Sequence, residues 1–315
     1  MNFPISCLAT ALVLACLGMA DVPQIPGPQA PTAPADDPKV ELQKLDAADD
    51  AAQAEVDGWV RSNKQKMAEG AGLSDAELQR RITERFEPVR RSYNALLKRY
   101  PRDAAAHLAY GNFLNARDDE QGALLEWEKA LELDTNNAAI YNNLAGRYGE
   151  SGPVDKAFQY FSKAIEISPN EPVFYHNFAD VLYVLRKKAA DYYHSNEQDV
   201  FGRCLVLYSN AIRLDPKNFA FARDLAQTYY SIKPFPVEPA LQAWTNALQI
   251  ARQEENRQDV YVHLARVKML GGHFAESRSQ LTWVTNEAYS PAKTTLLKSI
   301  EQREAAARAS HGDKQ

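Results

Sequence analysis

Six histidines (His107, His176, His194, His263, His273 and His311) and three cysteines are the side chains best suited to metal or nucleophilic chemistry. None is spaced for it. No two histidines stand as HExxH, which would put two imidazoles and a general base on one helix face, and no cysteine partners any of them. The phosphate-cradling GxxxxGK[ST], the dinucleotide-binding GxGxxG and the nucleophile-presenting GxSxG are all absent. Acidic pairs such as Asp118-Asp119 fall in turns, where capping and hydration account for them. These residues therefore point to no catalytic centre, no cofactor and no metal. What remains is recognition chemistry, carried by asparagines: an amide both donates and accepts, so it can bracket a peptide backbone whatever its side chains.

The elements that must position those amides are short amphipathic helices. In Ala138 to Glu171, Tyr141, Leu144, Ala145 and Tyr148 mark one buried stripe, and Ala157, Phe161, Ala164 and Ile165 mark another. Ser151-Gly152-Pro153 breaks the chain between them and Pro169 ends the second. The pattern recurs in register. Pro101, Thr135 and Pro169 fall 34 residues apart, as do Ala123 and Ala157, Ala130 and Ala164, and the bulky series Tyr93, Trp127, Phe161. A 34-residue period with two helices per unit resembles the tetratricopeptide repeat (TPR) family over roughly residues 70 to 286. The resemblance implies an all-α, right-handed solenoid of stacked antiparallel helix pairs, and a non-catalytic interaction scaffold.

Six units are expected, over residues 70–103, 104–137, 138–171, 172–218, 219–254 and 258–289. Ser74 and Glu77 form a capping box at the start of the first, whose second helix should begin near Pro88. The fourth departs from the period: Cys204, Tyr208, Ala211 and Pro216 fill slots due at 191, 195, 198 and 203, a delay of 13 residues. A second capping box, Ser195 with Gln198, implies that both helices of this pair are lengthened into a projecting hairpin, with Arg186, Lys187, Lys188, Tyr192, Tyr193 and His194 near its tip. Its tyrosines either pack the longer pair or meet a partner. Residues 39–69 read as a leading helix, packed on the first unit or held as an arm. Residues 290–308 read as a polar-backed helix that caps the open end, and 309–315 as a disordered tail.

In such a stack the first helix of each pair lines the concave face. The repeat phase then turns Asn112, Asn115, Asn142, Asn143, His176, Asn177, Asp180, Tyr183, Arg223, Asp224, Gln227 and Tyr230 into a groove for a peptide or protein segment, with Leu108 and Gly146 among them. The family's clamp for a terminal carboxylate uses Lys, Asn and Arg. Asn112 and Asn143 hold its two Asn places, but Leu108, Val173 and Asn177 hold the basic ones, so that clamp lacks its charge here. The family's asparagine ladder for extended peptides matches at Asn143 and Asn177, while the neighbouring rungs are Ala109 and Asp224. A rival reading is self-association through the projecting hairpin and the leading helix.

Composition narrows the partners. The net charge of −5 lacks the concentrated Lys and Arg of a nucleic-acid surface. Cys7 to Ala20 is uncharged and apolar, shorter than the ~20 residues that span a bilayer, and ends in Gly18-Met19-Ala20. Residues 1–20 therefore read as an export signal, although MNFPIS carries no basic residue. Val13-Leu14-Ala15-Cys16 offers a lipobox alternative, with Leu14 unusual at its place. A periplasmic or secreted chain is expected, membrane-held only if lipidated at Cys16. Residues 21–38, with six prolines, read as a semi-extended linker. After cleavage only Cys204 remains, in a small-residue packing slot, so no internal disulfide forms.

Overall fold

A computed structural model describes residues 37–312. The export signal, Cys7, Cys16 and nearly all of the linker lie outside the described residues. From Pro38 onward the chain forms one unit, and among the described residues it is helical, with no strand. α1 (Pro38–Ala68) and α2 (Asp75–Arg99) open it. Three regular pairs follow: α3 (Ala104–Asn115) with α4 (Glu120–Leu133), α5 (Ala138–Ser151) with α6 (Val154–Ile167), and α7 (Pro172–Val184) with α9 (Glu197–Leu214), the short α8 (Arg186–Tyr192) lying between the last two. α10 (Phe219–Thr228) pairs with α11 (Val237–Ile250), α12 (Glu254–Leu270) with α13 (Phe274–Leu281), and α14 (Ser290–Gly312) closes the array. No helix among the described residues is long and apolar enough to cross a membrane.

One packing rule recurs through the stack. Each second helix sends a large side chain inward: Tyr93, Trp127, Phe161, Tyr208, Trp244 and Leu281, each no more than 3% exposed. Four residues earlier stands a slot that is small in every regular pair, filled by Ala123, Ala157, Cys204, Ala240 and Ser277, none more than 1% exposed. The facing first helix gives a second small slot at Gly111, Ala145, Ala179, Ala226 and Ala265. Close backbone approach at the small slots lets the ring fill the layer beside them. Two polar members of the small series obey the rule by hydrogen-bonding across the pair: Cys204 Sγ donates to the Ala179 carbonyl at 3.5 Å and Ser277 Oγ to the Ala265 carbonyl at 2.7 Å. Burial pushes the Cys204 thiol up to about 12, so it is an inert packing group.

Caps set where the helices start. Asp103, Asn137 and Asn218 each accept a backbone N–H at the N-terminus of a first helix, and Ser74 and Glu77 make the reciprocal capping box at α2. Pro38 occupies the first turn of α1, where its missing N–H costs nothing. Two expectations are corrected at this end. α2 is a single helix that runs through Pro88 rather than starting near it, and the first helix of the opening pair is α1. The flanking Phe86 and Val89 are buried in a cluster with Ala52 and Val56 of α1; that burial outweighs the backbone bond Pro88 forfeits. α1 lies against both α2 and α3. It is tied down by Tyr93–Asp46 (3.2 Å), Arg85–Glu55 (2.7 Å) and ion pairs of Arg117 with Asp49 and Arg99 with Glu41.

The fourth pair is lengthened in its second helix, α9, which has 18 residues against 14 in α4 and α6, but not in its first. α7 stops at Val184 and the inserted residues form α8, whose Ala189 and Ala190 are buried. Tyr192 and Tyr193 face Phe158, with ring centroids 5.2 and 6.0 Å away, so the tyrosines pack the pair. The capping box of α9 is Asn196 with Asp199, one residue later than Ser195 with Gln198. His194 takes the left-handed conformation (φ 50°) and Ser195 N–H returns to the Ala190 carbonyl at 2.9 Å, closing the end of α8. Ser195 is thereby used to stop one helix, and Asn196 starts the next. At the far end Leu296 and Ile300 of α14 are buried against α12 and α13, and Arg278 pairs with Glu304 at 2.5 Å. α14 continues to Gly312, past the 308 expected, which leaves 313–315 outside the described residues.

The packing rule yields a counter-intuitive prediction. An alanine at Gly111 would place its Cβ 2.5 Å from the buried Trp127 ring. Gly111→Ala should therefore destabilise by about 1–3 kcal/mol, although helix propensity alone favours alanine by about 1 kcal/mol. Urea unfolding followed by tryptophan fluorescence measures the sign; a more stable variant would show that the contact yields freely.

Candidate functional site

The face made by the first helices carries the same slots in every pair. Counting from the small slot (Gly111, Ala145, Ala179, Ala226, Ala265), the residue three before it is Leu108, Asn142, His176, Arg223 and Val262. Two before it come Ala109, Asn143, Asn177, Asp224 and His263, and one after it Asn112, Gly146, Asp180, Gln227 and Arg266. Helical periodicity puts these three positions on one side, turned away from the second helix's back.

In the first half of the array they form a chain of amides. Asn177 Nδ2 donates to Asn142 Oδ1 (3.1 Å), Asn142 Nδ2 to Asn143 Oδ1 (3.2 Å), and Asn143 Nδ2 to Asn112 Oδ1 (2.7 Å), which also accepts from Trp127 Nε1 (3.0 Å). Three helices, α3, α5 and α7, are thus joined by side chains that each keep a second N–H or lone pair for something else. Arg147 donates to Asn115 at 3.1 Å and pairs with Glu120 and Glu150. The four amides of the run, with Asn115, Arg147, Glu150, Gly146, Phe161, Asp180 and Val181, line an open groove of about 450 Å³. Gly146 has open space where a Cβ would stand, so the floor beside the amides is clear.

The second half is charged. His176 Nε2 lies 2.9 Å from Asp224 Oδ2 and its Nδ1 3.4 Å from Asp180 Oδ2. Tyr208 donates to Asp180 Oδ1 at 2.5 Å, and Arg223 Nε to Asp224 Oδ1 at 3.0 Å. Burial works against the His176 imidazolium, but the hydrogen bond to Asp224 and the two negative charges outweigh it and hold the pKa above the ordinary value. Burial raises the Asp180 carboxyl; for Asp224 burial is overcome by the bonds from His176 and Arg223, which hold it low. Further along, Tyr183 and Ser231 share a hydrogen bond at 2.9 Å. Tyr230 meets His263 Nδ1 at 3.0 Å, and that imidazole stacks on Trp244 at 4.1 Å. Gln227 is exposed.

The sequence-derived set therefore divides into linked groups: Asn112, Asn142, Asn143 and Asn177 in one, Asn115 through Arg147, and His176, Asp180, Arg223 and Asp224 in another, with Tyr183 and Tyr230 outside both. Sequence reasoning missed Arg147, Glu120, Glu150, Tyr208 and His263. His263 was legible in principle, since it holds the same slot as Asn143 and Asn177. The His176–Asp224 pairing was not, because 48 residues separate the two and the inserted α8 breaks the period between them.

His263 gives a pH prediction. Burial, with Arg266 and Arg223 nearby, lowers its pKa to about 4, against an ordinary value near 6.5. Above pH 6.5 neither the folded nor the unfolded chain carries the proton and the full stability is present. Below it the unfolded chain takes up a proton that the folded one refuses, so stability falls as pH drops towards 4. Between pH 7.5 and 4.5 wild type should lose about 2 kcal/mol more than His263→Gln. Urea midpoints at the two pH values check this; parallel losses would assign the acid sensitivity elsewhere.

Comparisons with known proteins agree with this architecture. No family model matches the chain. Photosystem I assembly protein Ycf3 of Rippkaea orientalis (strain PCC 8801 / RF-1) is 26% identical over 127 residues, 40% of this chain and 70% of that protein. Ycf3 of Synechococcus sp. (strain CC9605) is 28% identical over 127 residues, 38% of this chain and 72% of its own. Among solved structures, YrrB, a TPR protein with an unusual peptide-binding site, superposes with a TM-score of 0.52 at 14% identity, over 65% of this chain and 97% of that one. PilW, a widely conserved type IV pilus biogenesis factor, gives 0.50 at 16% identity, over 77% and 98%. With the 34-residue period, the alternating small and large slots and these likenesses in hand, the described residues have the fold of a tetratricopeptide-repeat array.

Proposed function

We propose that this protein is a non-catalytic scaffold that holds an extended segment of a partner protein across the first helices α3, α5 and α7. The observation that carries this reading is the run Asn177–Asn142–Asn143–Asn112, joined end to end at 2.7 to 3.2 Å. Each amide is oriented by its neighbour before any ligand arrives, which lowers the ordering cost of binding. Each also retains hydrogen-bonding capacity towards the groove, suited to the repeating N–H and C=O of a peptide. A peptide-binding site in YrrB, an assembly role for Ycf3 and a part in type IV pilus biogenesis for PilW are properties of those proteins; they support the same class of role here. Tyr192 and Tyr193 pack on Phe158, and Ala52 and Val56 of α1 are buried in the cluster with α2 and α3, which favours the groove over the self-association reading.

Peptide-display selection on the intact chain, followed by calorimetry with the enriched peptide, tests the groove. Asn142→Ala/Asn177→Ala removes two links of the run, and at about 0.5–1.5 kcal/mol per hydrogen bond it should weaken binding about 10-fold or more. Unchanged affinity, with the helical circular dichroism signal intact, would place the contact elsewhere.

We further propose that the scaffold works outside the cytoplasm, in a bacterial envelope, on the strength of the apolar run Cys7 to Ala20 and its small-residue cleavage pattern. Intact-mass measurement of the chain from its native host discriminates the routes. A start at Asp21 gives a free exported protein and an acylated Cys16 a membrane-held one. Retention of Met1 would end the export reading.

A further inference from the structure

We propose that His176, Asp180 and Asp224 form a binding site for a first-row divalent cation such as Zn²⁺. It shares Asp180 with the lining of the amide groove, and its ligands are otherwise separate from the amide run. Among the described residues this is the one set of three such side chains whose ligand atoms all lie within 4.8 Å of one another. His176 and Asp180 stand one turn apart on α7, and Asp224 reaches them from α10.

What distinguishes this set from an ordinary ion pair is how the carboxylates are held. Tyr208 donates to Asp180 Oδ1 and Arg223 to Asp224 Oδ1, so each carboxylate is anchored through one oxygen and turns the other, Oδ2, towards the imidazole. Anchoring of ligands by outer hydrogen bonds is the usual support of a metal centre. One nitrogen and two carboxylate oxygens suit a borderline cation, with bonds of about 2.0–2.2 Å. His176 meets Asp224 through Nε2 and Asp180 through Nδ1; a cation takes one of these nitrogens, so the carboxylate at the other must swing round to it, the three ligand atoms lying within 4.8 Å of one another. The three side chains are 15%, 45% and 22% exposed, so the remaining coordination positions open to solvent on the first-helix face. Three other histidines each meet a single carboxylate: His107 with Glu126, His263 with Asp259 and His273 with Glu276. Those pairs lack the third donor.

The test uses the full chain, stripped with chelator and titrated with Zn²⁺ by calorimetry, with elemental analysis after dialysis. We expect one tightly held Zn²⁺ per chain. His176→Gln and Asp224→Asn should each weaken binding at least 10-fold, Tyr208→Phe by a smaller factor through Asp180, and His263→Gln not at all. Co²⁺ in place of Zn²⁺ should show visible absorption in wild type that is lost in His176→Gln. Circular dichroism establishes that each variant is folded. Failure of the wild-type chain to retain Zn²⁺, or equal affinity in folded His176→Gln, would overturn the assignment.

Discussion

The structure depends on one recurring contact: a large side chain on the second helix lodged beside small residues on both helices of its pair. Trp127 beside Gly111 and Ala123, Phe161 beside Ala145 and Ala157, and Trp244 beside Ala226 and Ala240 are the same event repeated. The small residues set how closely the backbones approach, and the large one fills the space that remains. Close-packed interiors tolerate neither a gap nor an excess methyl, so this contact fixes the angle at which each pair meets the next. Everything on the first-helix face inherits its position from that angle.

The polar face is coupled to the packing through the large residue itself. Where it is Trp127, its indole N–H donates to Asn112; where it is Phe161, the matching first-helix position is Gly146; where it is Tyr208, its hydroxyl donates to Asp180. In these three pairs polarity at the bottom of the layer is matched by polarity at its rim, whereas the Trp244 indole N–H is buried without a partner. A second coupling runs between pairs. The residue three before the small slot in one pair meets the residue two before it in the next, as Asn142–Asn177 and again as His176–Asp224. The same geometric rung carries amides in one half of the array and charges in the other. That division sets an amide run suited to peptide backbone beside a charged cluster, with Asp180 at the border of the two.

The fourth pair shows how an insertion is absorbed without losing this order. Thirteen additional residues displace Cys204, Tyr208 and Ala211 in sequence, yet each occupies its slot in space. The extra length adds a turn to α9 and forms α8, which buries its alanines and turns two tyrosines onto Phe158. The polar rung from α7 to α10 survives because the small and large slots of α9, rather than the residue count, set the position of the pair.

Much of this was legible in the sequence, and what was not has a physical cause. The period, the two helices per unit and the small and large slots could be read directly. Each pair contacts chiefly its neighbours, so its pattern is written locally. The inward list from Asn112 to Tyr230 followed from the same phase. Helix ends were less secure: Pro88 marks a helix start in most contexts, but burial of Phe86 and Val89 against α1 keeps α2 continuous, and α8 consumes Ser195 before it can cap α9. Which atoms meet across pairs was beyond the sequence altogether. The link from Asn142 to Asn177, and the convergence of His176, Asp180 and Asp224, depend on the rotation between successive pairs. That rotation is a property of side-chain volumes packed in three dimensions and has no spacing in the chain to announce it.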